Sequence, residues 1–387
     1  MIERRVSPVY LTNWLPLRSQ SICQCFLGLT LGIGEILAAD AMSIEPPSGT
    51  NYNPAYTFTI FAGLPGARGF KDGFANQARF SLPTGIAVDR DGNVYVGDTN
   101  NFSIRKISRL QVVSTLPLTL GGQKLQISAG APDEFGVPMK LAVDRDGTLY
   151  VFHQDEILKV SLTGVATAFA GSARRQSDQI KGLVDGVGVL ARFDGPTALT
   201  IDQSGNLYVA DSGSIIRRVS KQGEVKTLAG KAGFRGSEDG LGANARFNVP
   251  SGLAVDSSGS IYVADTLNCT IRKITPAGAV STLAGSAGVR GDSDGVGSAA
   301  RFYGPTAVAV DGSGDIFVAD SANHTIRRIT PSGLVTTVAG KAREMGSTEG
   351  RGDEVRFEEG KGLALDKNGK LYVTDFRADV IMVGVGD

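Results

Sequence analysis

The residues able to do chemistry in this chain of 387 are few in kind. Its two histidines, His153 and His324, cannot furnish a three-histidine zinc centre. Serine or cysteine nucleophiles lack a setting, because no nucleophile elbow occurs and Cys269 occupies a repeated position. Asp89-Arg-Asp-Gly92, Asp144-Arg-Asp-Gly147 and Asp292-Ser-Asp-Gly295 open like calcium loops. None has the closing Glu in a helix-flanked loop, and the first two read as hairpin turns. The glycine-rich stretches, such as Gly230 to Gly242, have no Gly-Lys-Ser/Thr after them and are not phosphate cradles. Lys+Arg and Asp+Glu balance at 39 each, so the basic excess that a nucleic-acid partner demands is missing. What remains is a small set suited to recognition: Glu134, Lys140, His153, Lys361, Arg174 and Arg175. Two lysines and a histidine at one place would favour an anion.

Those residues are singled out because they break a repeat. Short apolar runs ending in aspartate recur, as in Val94-Tyr-Val-Gly-Asp98, Leu207-Tyr-Val-Ala-Asp211, Ile261-Tyr-Val-Ala-Asp265, Ile316-Phe-Val-Ala-Asp320 and Leu371-Tyr-Val-Thr-Asp375. With Leu149-Tyr-Val-Phe-His153 as the divergent second, there are six units. Each holds four runs of strand-forming residues bounded by Gly, Asp or Pro, with no useful helical period after residue 55. Four antiparallel strands repeated six times, each unit too small to bury its own faces, specify an all-β, six-bladed β-propeller of four-stranded blades. The sixth unit stops after three runs. The orphan strand 56–63 resembles the fourth runs, so it is expected to complete the last blade and close the ring.

Within the units, Asp-Gly-x-x-x-x-Ala-Arg-Phe precedes the first strand: Asp72 to Phe80, Asp185 to Phe193, Asp239 to Phe247, Asp294 to Phe302, with a variant at Glu349 to Phe357. The phenylalanine can plug between blades. Its arginine loop and the aspartate ending the second strand share a face. The expected buried pairs are therefore Arg79 with Asp98, Arg192 with Asp211, Arg246 with Asp265, Arg301 with Asp320 and Arg356 with Asp375. The rival partners are third-strand Arg105, Arg217, Arg272 and Arg327, which unit six lacks.

Upstream, Arg4, Arg5 and Arg18 precede the apolar run from Ile22, which ends at Ala39-x-Ala41. This is a secretory pattern over residues 1–41, followed by a polar linker over 42–55. Export to the periplasm or exterior is expected, with no membrane span in the mature chain and Cys269 as its one thiol.

The pattern Pro250-x-Gly-Leu-Ala-Val-Asp, Gly-x-Ile-Tyr-Val-Ala-Asp, Asn-x-x-Ile-Arg-Lys-Ile274 resembles the NHL repeat. The resemblance covers residues 56–387. It implies a six-bladed propeller and functions ranging from protein or RNA binding to sensor ectodomains and a few enzymes. A lyase of that family needs several zinc-binding histidines, which this chain lacks. Lactonase-like propellers hold a divalent cation with channel carboxylates, whereas the first strands here carry no acidic residue before the turn aspartate. The expected function is thus a monomeric, non-catalytic recognition scaffold for a protein or small anionic ligand, with no cofactor or metal. The alternative is a metal-dependent lactonase or lyase working in the central channel.

Overall fold

The computed structural model describes residues 55–124, 140–172, 183–211 and 213–387. Residues 1–41, expected to form an export leader, the expected linker up to Pro54, Glu134, Arg174 and Arg175 lie outside the described residues. Each unit forms one antiparallel sheet. In blade four the inner strand is Pro250–Val255, the second Ile261–Asp265, the third Thr270–Ile274 and the outer Ala279–Gly285. Six such sheets make a six-bladed β-propeller.

Second strands are apolar throughout because both their faces are covered. Ile261 and Val263 pack with Tyr208 and Phe247 at the junction with blade three. Tyr262 and Ala264, pointing the other way, pack with Phe302 and Val318 at the junction with blade five. Phe80, Phe193, Phe247, Phe302 and Phe357 each plug one junction, and all are buried. The Asp-x-x-Gly segments are hairpin turns. Asp256 Oδ1 accepts the amides of Ser258 and Ser260, and Gly259 sits at φ +82°, where a side chain would strain the backbone.

Four strands per blade were expected, and five are found. The Asp-Gly element supplies the fifth, a two-residue strand such as Gly240–Leu241 paired to the outer strand through Gly240 and Val280. Blade two departs further. It has six strands, and Thr119–Leu120 runs parallel to its outer strand Val165–Gly171. Four residues cannot be seen as strands from periodicity alone, since a period of two needs several repeats to register.

The ring closes as the sequence implies. Tyr56–Gly63 pairs antiparallel with Val380–Gly386 from the chain's other end, from Tyr56 opposite Gly386 to Gly63 opposite Val380. Phe58 is fully buried, edge-on to Phe357 at 5.3 Å between centroids, and its ring lies over Gly384, where any side chain would collide. Replacing Phe58 by alanine should therefore cost about 3–5 kcal/mol. Val385→Ala on the exposed side of the same pairing should cost within about 0.5 kcal/mol. Urea unfolding midpoints of the two variants check this, and equal shifts would mean the strand does not lock the ring.

Candidate functional site

In blades one, three, four and five the aspartate that ends the second strand is fully buried, and its partner is the third-strand arginine. In blade four Arg272 Nη1 donates to Asp265 Oδ2 at 2.8 Å and to the Arg246 carbonyl at 2.9 Å. Its Nη2 donates to Asp239 Oδ1 at 2.6 Å and to the Glu238 carbonyl at 3.0 Å. The Phe247 ring faces the guanidinium carbon at 5.3 Å. Asp239 in turn accepts the Thr282 amide and hydroxyl, beside the outer-strand bulge at Leu283. Asn268 adds a donor to Asp265 at 2.7 Å. The same clamp ties Asp98, Arg105 and Asp72, then Asp211, Arg217 and Asp185, then Asp320, Arg327 and Asp294. Burial pushes the Asp98, Asp211 and Asp320 carboxyls up to about 6. The arginine and amide donors oppose that rise and leave them ionised at neutral pH.

This corrects the expected pairing of Asp98, Asp211, Asp265 and Asp320 with Arg79, Arg192, Arg246 and Arg301. The Arg246 side chain instead caps its own turn, donating to the Ala243 and Ala245 carbonyls, while its main-chain carbonyl feeds the clamp. Arg79, Arg192 and Arg301 do the same. In blade six Arg356 pairs with Glu344 at 2.7 Å, not with Asp375. Asp375 accepts the amides of Glu358 and Glu359 instead, and fully buried Met382 fills the arginine's place. The sequence held the missed signal. The one unit that keeps its aspartate yet loses the third-strand arginine also changes Asp to Glu349, which now accepts the Ile60 amide of the outer strand.

Of the repeat-breaking residues, the fold brings Lys140 and Lys361 together and leaves His153 apart. His153 is buried within blade two, its Nδ1 2.9 Å from Glu156 Oε1, and Leu158 takes the arginine position. His324 Nδ1 donates to the Glu358 carbonyl at 2.8 Å. Lys140 and Lys361 start inner strands on either side of blade one, and Lys140 Nζ lies 3.5 Å from the Lys361 carbonyl. Lys140 borders a 40 Å³ cavity in the channel, among Thr84, Ser251, Gly252 and Gly362, and Lys361 adjoins it through Gly362. Glycine is required there. A Cβ on Gly252 would stand 2.7 Å from Ala307 Cα and 2.8 Å from the Thr306 carbonyl. Hydroxyls stitch this rim from blade to blade: Thr197 to Pro250, Thr266 to Pro305, Thr306 to Gly360 and Thr374 to Thr84.

Lys361 is neutralised by Glu359 at 2.6 Å, which Arg377 also engages. Lys140 has no carboxylate within ion-pairing distance among the described residues. Burial in the channel wall, with the Lys361 charge beside it, lowers its ammonium to about 8. Water still reaches it along the channel, so its surface is half-buried although protein surrounds it. The wall beyond is apolar, formed by residues such as Ile86, Leu141, Leu199, Leu253, Val308 and Leu363. Among the described residues no three metal-binding side chains converge, and no helix is long and apolar enough to cross a membrane.

Six radial sheets around a narrow channel, each braced by a buried polar core, define the class of β-propeller proteins. The NHL repeat family matches residues 80–107, 247–274 and 302–329, and this chain is an NHL-repeat protein. Those are blades one, four and five, the blades whose clamp carries the asparagine: Asn101, Asn268 and Asn323. NHL repeat-containing protein 2 of Gallus gallus is 30% identical over 297 residues, 67% of this chain and 40% of that protein. The chain spans less than half the length of the curated relatives it matches. Among solved structures, an auxiliary nutrient binding protein from Bacteroides ovatus superposes with TM-score 0.63 at 16% identity, over 86% of this chain and 77% of that one. A gluconolactonase from Xanthomonas campestris does so with TM-score 0.53 at 13% identity, over 86% and 97%. Both likenesses are of fold.

Arg272→Met leaves Asp265 buried without its counter-ion and should destabilise by about 3–5 kcal/mol. Arg246→Gln should cost about 1 kcal/mol or less, because its carbonyl remains. Denaturant titration separates the two, and reversed magnitudes would restore the pairing rejected above. For Lys140, a folded pKa near 8 against the usual 10.5 means the folded chain binds fewer protons between those values. Wild-type stability then rises with pH across that window. Lys140→Met should be the more stable form at pH 7, by on the order of 2 kcal/mol, with the gap closing toward pH 10.5. Urea midpoints at pH 7 and pH 10 read this directly.

Proposed function

We propose that this chain is an exported, non-catalytic recognition propeller whose channel rim at Lys140 and Lys361 receives an anionic group, of a small ligand or of a protein partner. One observation carries the reading. An ammonium lacking a carboxylate partner among the described residues faces a narrow opening lined by apolar side chains, glycines and the hydroxyl residues Thr84 and Ser251. A carboxylate seated there would relieve the repulsion between the two lysines and supply the counter-charge that Lys140 lacks. Partial burial strengthens such a pairing relative to an exposed one. Among the described residues that line the channel none is a carboxylate able to hold a divalent cation. The solved propeller described as nutrient binding supports retention of a ligand, although that function belongs to the other protein. Export rests on the leader pattern of residues 1–41.

The test is thermal denaturation of residues 42–387 with citrate and D-gluconate, against sodium chloride at equal ionic strength, together with metal analysis. At a hundredfold excess over Kd a bound anion adds about 2.7 kcal/mol of stability. The rise should vanish in Lys140→Met. A stoichiometric divalent ion whose removal by chelator lowers the melting temperature would overturn the reading in favour of the metal-dependent enzyme.

A further inference from the structure

The opposite mouth of the channel is built from the hairpin turns between inner and second strands, and its charges are not evenly spread. At the second turn position, blades six, one and two carry Lys367, Arg90 and Arg145, whereas blades three, four and five carry Gln203, Ser257 and Gly312. All three cations are exposed. They converge on one cavity of 480 Å³, floored by Val88 and Val143 at the ends of two inner strands. The cavity's lining holds one carboxylate, Asp144, and its Oδ1 already accepts the amides of Asp146 and Thr148 within its own turn. None of the three cations has an ion-pair partner within 4.0 Å among the described residues. Arg145 Nη2 donates to Gln203 Oε1 at 2.6 Å, which orients its guanidinium across the junction with blade three.

Three cations facing one occupied carboxylate leave a local surplus in a chain whose total charge is balanced. Two planar guanidinium groups and an ammonium line one cavity and carry forked and single donors. That suits tetrahedral oxyanions with several acceptor oxygens better than a lone carboxylate. The surroundings are not uniformly basic. Asp89, Asp91 and Asp366 line the neighbouring cavity together with Arg109 and Lys370, and Arg90 and Lys367 stand between the two cavities and line both. Asp89 is engaged by the Asp91 and Asn93 amides, the Asn93 side chain and the Tyr95 hydroxyl, and Asp366 by the Asn368 and Lys370 amides. The flanking cavity thus balances its cations with acids, whereas the cavity that Arg145 joins has the one carboxylate of Asp144.

We propose that Arg90, Arg145 and Lys367 form a binding site for a phosphate-class oxyanion at this mouth, separate from the Lys140 rim. The site is solvent-facing, so binding is expected to weaken as salt rises. The experiment is isothermal titration of residues 42–387 with inorganic phosphate at pH 7.5, against chloride at matched ionic strength. Saturable one-to-one binding, weakened at least fivefold by Arg145→Gln and by Arg90→Gln, is the expected result. These side chains lie at the surface, and unchanged melting of each variant shows that folding is intact. Binding that both variants retain, or heats matched by chloride, would overturn the proposal. So would loss in Lys140→Met with retention in Arg145→Gln, which places the anion at the other mouth. Failure of citrate or gluconate to stabilise the chain bears on the Lys140 rim alone.

Discussion

A buried guanidinium is the constraint on which each regular blade depends. The third-strand arginine reaches inward to the aspartate of the second strand and outward to the aspartate of the preceding loop, so one side chain spans the blade's width. Arg105, Arg217, Arg272 and Arg327 are each all but fully buried, and their Nε atoms alone find no acceptor. So many donors can be satisfied in a dry interior only where backbone carbonyls and carboxylates are held in fixed positions. The Ala-Arg-Phe turn provides them. Its main-chain carbonyl accepts, and its phenylalanine covers the flat face of the guanidinium while plugging the blade junction. A sequence element repeated in the loops is thereby part of the sheet's core.

The departures follow from the same constraint. Blade six lacks the arginine, so Asp375 takes amide donors in its stead, with burial pushing its carboxyl up to about 6, and Glu349 retains only the contact to the outer strand. Blade two replaces the aspartate by His153 and the arginine by Leu158, and His153 meets Glu156 there. Blade three keeps Asp211 and Arg217 but has a turn one residue shorter and no asparagine. The family match falls on the three blades in which every member is present.

Period and closure were legible because they are properties of repetition. Strand-forming runs at a constant interval require a ring, and Tyr56–Gly63 could be assigned to the last blade by likeness to the other outer strands. The pairing of charges was harder. Arg246 and Arg272 both stand near Asp265, and spacing cannot distinguish an arginine that offers its side chain from one that offers its carbonyl. The comparison that decides it is between units, and unit six was read on one position rather than two. The fifth strands were invisible because two residues have no period. Lys140 and Lys361 were legible as charges in places where other units carry small or hydroxyl residues. His153 broke the repeat equally, but inside a blade, where a departure alters packing and never reaches the channel.

That contrast shows where a propeller can acquire function. Second and third strands are enclosed by neighbouring blades, and a polar group there must find its partner inside the protein or the blade fails. Inner-strand ends and hairpin turns face the channel mouths, where a charge can be left for a ligand at small cost to the fold. Blades six, one and two place cations at both mouths, Lys361 and Lys140 at one and Lys367, Arg90 and Arg145 at the other. The apolar wall between them is shared by all six blades. The ring is thus symmetric in what holds it together and asymmetric in what it presents. The ring-closing pairing of the chain ends lies within the same sector, in blade six. An anion bound at either mouth would bridge side chains of blades on both sides of blade one.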